Sequence, residues 1–198
     1  MRNGFAIDLQ GCLVQVEASN AWFRRRVLPL SIEQLRWRPG PQEWSIGECL
    51  DHLNITLALC LPRIDAAIRA GWRDGLTAIR GLLCDPSEID VLTLVEPPPV
   101  SRVAAPPATL PPAGIDPDQL MDCFHQVREH YRNIAHRARG LDLARIRIIE
   151  PIIPKIHSLG GTLAFLAAHD RRHMWQSERI RSHARFPRAV FHREDVYE

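Results

Sequence analysis

The sequence predicts an all-α fold: a bundle of four long helices with a long proline-rich crossover, over one domain spanning residues 1–198. Three observations carry this. Four stretches show helical periodicity between recognisable caps and stops. One segment, "PPPVSRVAAPPATLPPAGIDP" (97–117), concentrates 8 of the 16 prolines. No run of alternating residues is long enough to build a sheet.

The first helix is expected over 6–28, ended by Pro29, with "WFRRRVL" (22–28) as its solvated basic end. "SIEQL" (31–35) reads as a short helical turn capped by Ser31. The second long helix runs over 45–71, where Ser45 and Glu48 have the spacing of a capping box. Pro62 should kink or divide it, and Gly71 should stop it. Residues 72–96 suggest short helical pieces. The 97–117 segment is too poor in backbone donors for helix or ladder, so it reads as an extended crossover between helix pairs, with a lid or partner strap as the other reading. Asp116-Pro117 then caps a third helix that reaches about Arg139 and stops at Gly140. "RIRIIEPIIP" (145–154) reads as an extended connector. Ser158 opens a fourth helix to about His183, with "LGGTL" (159–163) allowing close helix packing near its start.

Composition narrows function mainly by exclusion. Hydrophobic residues make 45% of the chain, charged residues 24%, and the net charge is +2. That charge provides no one-signed field for nucleic acid or anionic lipid. Lys155 is the only lysine, a compositional bias more than a binding code. No stretch approaches the ~18 apolar residues of a membrane span. The N-terminus lacks the apolar core of a secretory signal. Cys12, Cys49, Cys60, Cys84 and Cys123 are odd in number and form no C-x-x-C, so a reduced, cytoplasmic setting is expected. There is no glycine-rich phosphate loop and no motif for a Ser/His/Asp nucleophile.

The chemistry lies in histidines. His169 and His173 are four apart, one above the other on a helix face shared with Thr162, Leu166, Gln176 and Ile180. His52 sits on the side of the second long helix shared with Cys49, Leu53, Thr56 and Leu59. All three are expected to point inward. One inward histidine is ordinarily a satisfied core residue. Three on two facing helices are better explained by a divalent ion that takes all three ring nitrogens, because burying them unpartnered is costly. Three protein ligands leave a position open for water or substrate. Glu48, one turn before His52, is the nearest candidate for a general base, although its capping-box position is the favoured explanation. Asp51 and Asp170 are turned about 100° from the adjacent histidines, so they read as surface groups, with a supporting place behind the ligands as the other reading. His125, His130 and His136 lack helical spacing and also read as surface. Cys49 reads as a small core residue.

"WRPGPQEWSIGECLDHLNIT" (37–56) followed by "AAHDRRHMWQSERI" (167–180) resembles the DinB-like superfamily over nearly the whole chain. The resemblance implies a four-helix bundle with a divalent metal, zinc or nickel being typical, held by His52, His169 and His173. It also implies a bacterial metal-dependent hydrolase or a transferase acting with a low-molecular-weight thiol. A small-molecule substrate and no nucleic acid are the expected partners, with a homodimer as a candidate assembly. A non-catalytic metal-binding or stress-related bundle is the alternative.

Overall fold

The computed structural model of the chain describes residues 8–78, 84–100, 103–114, 116–149, 152–153 and 155–188. Among the described residues six α-helices follow in order: α1 (Leu9–Arg26), α2 (Ile32–Arg36), α3 (Ile46–Arg73), α4 (Ile89–Val95), α5 (Pro117–Arg137) and α6 (Leu159–Arg181). No strand occurs among the described residues, only isolated bridges between Thr77 and Leu141 and between Arg147 and Ser158. No described helix is long and apolar enough to cross a membrane.

The caps explain most boundaries. Asp8 accepts the Gly11 N–H at 2.8 Å and starts α1; the predicted start at residue 6 lies outside the described residues. Arg24, Arg25 and Arg26 are exposed in the last turn of α1, where positive charge suits the helix dipole. Ser31 and Gln34 close a capping box on α2, and Ser45 and Glu48 close one on α3. Asp116 caps α5 through the N–H groups of Asp118 and Gln119. Ser158 caps α6 through Gly161.

α3 runs through Pro62 to Arg73 as one helix, so the proline does not divide it. Gly71 is not its stop: it lies inside the helix, where an added Cβ would stand 2.5 Å from Ile146 Cδ1. The stop is Gly75, at φ +65°. There the Leu76 N–H reaches back to the Gly71 carbonyl at 2.9 Å and the Gly75 N–H to that of Trp72 at 3.3 Å, a Schellman arrangement. The region 72–96 contributes α4, entered through a 3₁₀ turn at Pro86–Glu88. The described part of the proline-rich segment contains a second 3₁₀ turn, Pro107–Thr109; residues 101, 102 and 115 lie outside the description. Likewise 150, 151 and 154 of the expected connector are not described. Its flanks fold back on α6, with the Leu159 N–H on the Ile146 carbonyl at 2.8 Å and the Gly160 N–H on that of Leu143 at 3.0 Å. These bonds satisfy N–H groups that a helix start leaves open.

Packing follows from which faces are apolar. α3 packs on α5 and α6, and α1 packs on the same two, so α1 and α3 occupy opposite corners. α4 lies along α6 as well. Surrounded this way, α6 is buried at every residue from Leu159 to Asp170. The core has two apolar clusters. The larger holds Leu57, Ile64, Ile68, Tyr131, Ile134, Leu163 and Leu166. The smaller holds Phe23, Ile46, Leu50, Leu53, Leu120, Phe124 and Ile180. Between them in sequence on all four long helices stand buried polar residues: Ser19 and Asn20 on α1, Thr56 on α3, Arg128 on α5, and His169, Asp170 and His173 on α6. That layer carries the site.

Candidate metal centre

The structure brings His52, His169 and His173 together. One ring nitrogen from each lies within 4.8 Å of the others, and all three residues are buried. His52 comes from the second turn of α3, whose start is set by the Ser45–Glu48 box. His169 and His173 come from one face of α6. The His169 Nε2 stands 3.1 Å from both His52 Nε2 and His173 Nε2. The His52 Nδ1 lies 2.7 Å from the backbone carbonyl of Thr109, at the end of the second 3₁₀ turn. Phe165 stacks on His169 at 5.2 Å between ring centroids, and Trp44 covers both His52 (4.8 Å) and His173 (6.1 Å).

Hydrogen bonding alone does not satisfy this arrangement. A neutral imidazole has one N–H and one lone pair. The Thr109 carbonyl only accepts, so His52 carries its proton on Nδ1 and turns a lone pair inward from Nε2. His169 Nε2 then faces two nitrogens with at most one proton to give. A single cation resolves the conflict by accepting three lone pairs. Two nitrogens on one tetrahedral zinc at about 2.05 Å lie roughly 3.3 Å apart, close to the two 3.1 Å contacts that His169 Nε2 makes. Burial pushes the His169 and His173 pKa values well below the ordinary imidazole range, and charge on the neighbouring rings and on Arg172 pushes the same way. Burial also lowers that of His52, against the opposing bond to Thr109. Neutral imidazoles are the form a metal needs.

Glu48 is not brought to this cluster. Its carboxylate accepts the Ser45 N–H at 2.8 Å and Arg38 Nε–H at 2.9 Å, with a second contact from Arg38 Nη2, so capping and an ion pair occupy it. Asp170 is a correction: it is no surface group but the buried partner of Arg128, whose guanidinium holds it through two bonds, one of 2.7 Å and one from Nη1 to Oδ2. Asp51 is half-buried, and burial raises its carboxyl pKa. Gln176 is half-buried, one turn after His173, and favours protonation of that ring. His125, His130 and His136 are exposed, and Cys49 is fully buried. Thr109, Trp44 and the Arg128–Asp170 pair were not singled out by sequence. Arg128 had a signal: it continues the Leu120, Phe124, Tyr131, Ala135 face of α5, which is otherwise apolar.

A family model described as the DinB superfamily matches residues 15–177. No curated protein and no solved structure gives a significant match.

Proposed function

The chain belongs to the DinB superfamily, and from that membership and the converging ring nitrogens we propose that it is a divalent-metal enzyme. It acts on a small electrophilic substrate with water or a low-molecular-weight thiol as nucleophile, as a hydrolase or a thiol S-transferase. The observation that carries the metal is the pair of 3.1 Å Nε2 contacts on His169, which a cation satisfies and protons do not.

His52, His169 and His173 would hold the ion, zinc or nickel by the imidazole donor set. Such an ion supplies Lewis acidity, lowering the pKa of the nucleophile that shares it. The chain's own residues do the rest. Thr109 fixes the tautomer of His52, so that its lone pair faces the other two rings. Phe165 and Trp44 hold the imidazole planes and keep bulk water from them. No acid or base role falls to Glu48, whose oxygens are already engaged.

Purified protein loaded with zinc or nickel would be screened against small activated esters and, with added thiols, against epoxide, halide and enone electrophiles. Metal-dependent turnover lost in His173→Ala supports the reading. A need for thiol assigns transfer, and thiol-free turnover assigns hydrolysis. The histidines are only 4–8% exposed, which favours a second reading, a non-catalytic metal-binding bundle. Tight metal binding without turnover on any of these substrates would assign that one.

A further inference from the structure

A small cavity lies inside the bundle directly behind His169, lined among others by Thr56, Arg128, Tyr131, His169 and Asp170. Its free space of about 10 Å³ is room for one water. Four lining residues each carry a buried polar atom with no protein partner: Thr56 Oγ1, Arg128 Nε, Tyr131 Oη and His169 Nδ1. We infer that this cavity is a binding site for a single ordered water that fixes the tautomer of His169, with Thr56, Tyr131 and Arg128 as positioning residues.

The chemistry of the four groups fits one water. His169 Nδ1–H and Arg128 Nε–H are two donors for its oxygen, and the two hydroxyl oxygens accept its protons. Two bonds accepted and two donated complete a tetrahedral shell, within the 2–4 partners usual for buried water. Arg128 does not turn away, because both of its terminal nitrogens are held by Asp170 and its guanidinium lies over the Phe124 ring at 5.3 Å. Asp170 therefore acts through Arg128. A proton held on Nδ1 leaves the His169 Nε2 lone pair facing His52 and His173, as a metal ligand requires. His52 receives the same service from the Thr109 carbonyl. The inference rests on the metal reading of the three histidines for its purpose, but the tautomer is a property of the metal-free protein.

The test uses ¹⁵N-histidine NMR on the metal-free full chain, then zinc titration, for wild type, Thr56→Val with Tyr131→Phe, and Thr56→Ser, which keeps the hydroxyl. The expected result is His169 protonated on Nδ1 in wild type and in Thr56→Ser. In Thr56→Val/Tyr131→Phe, Nε2–H gains population and zinc affinity falls roughly 10–100-fold, with Thr56→Ser within twofold of wild type. His169 protonated on Nε2 in wild type would overturn the inference, as would a Thr56→Val/Tyr131→Phe protein with unchanged tautomer and affinity. If that double variant does not fold, the wild-type tautomer still decides. A wild type that takes up no zinc contradicts the metal reading instead, and its tautomer separately decides for or against the water.

Discussion

Gly161→Ala tests how the start of α6 is held. Glu88, fully buried, places its carboxylate over the first turn of that helix. It accepts the His157 N–H at 2.7 Å, the Ser158 N–H at 2.8 Å, the Ser158 hydroxyl at 2.5 Å and the Asp85 N–H at 2.9 Å. A Cβ at Gly161 would stand 2.6 Å from the Glu88 carboxyl carbon and both of its oxygens. Restoring ordinary contact moves the carboxylate by roughly 0.8 Å, which stretches these bonds beyond useful length. Bonds to a charged group contribute about 1.5–3 kcal/mol each. Losing two costs about 3–6 kcal/mol, and the better helix propensity of alanine returns about 1. The net expectation is about 2–5 kcal/mol of destabilisation. At about 2–4 °C per kcal/mol for a chain of this length, Tm falls by roughly 4–20 °C in a circular-dichroism melt. Repeating Gly161→Ala in a Glu88→Ala background isolates the cause. Without the carboxylate the substitution becomes neutral or slightly stabilising. An equal penalty in both backgrounds would refute the reasoning.

Other outcomes follow from buried groups. Asp170→Asn leaves the Arg128 charge inside the bundle, and urea unfolding should show a loss of about 3–5 kcal/mol; Arg128→Met with Asp170→Leu should recover most of it, and a double variant no better than the single would contradict the pairing. Burial pushes the Cys12 thiol up to about 12 and that of Cys49 higher still. Alkylation at pH 8 mapped by mass spectrometry should therefore label the half-buried Cys84 and Cys123 before either, with Cys49 reacting as fast as Cys123 being the contrary result. Zinc at a hundred times its Kd should stabilise the native chain by about 2.7 kcal/mol, read as a rise in Tm that a chelator reverses; a Tm indifferent to zinc would oppose a native site.

Local chemistry was the legible part of this fold. Ser31, Ser45, Asp116 and Ser158 each announce a helix start because a capping side chain works within three residues. His169 and His173 share a face because of helical spacing alone. Their meeting with His52 followed from three inward histidines on helices that pack together. What escaped sequence was set by distant packing. Asp170 looked exposed beside His169, but α6 is enclosed by α1, α3 and α4, so its outward side is also interior. Its partner Arg128 is 42 positions away, a separation that leaves no periodic trace. Gly71 resembled a helix stop, yet it is small because Ile146 leaves no room for a side chain. "LGGTL" suggests close approach of another helix, but what lies against Gly161 is the carboxylate of Glu88 from the 3₁₀ turn before α4, which no local pattern identifies.

Whether three histidines share one ion is decided by the metal content of untagged protein, as purified and after zinc or nickel titration, for wild type, His52→Ala, His169→Ala and His173→Ala. Wild type is expected to hold close to one divalent ion per chain, and each folded variant to lose it. A wild type that takes up neither ion, or metal retained after all three substitutions, would contradict a shared site.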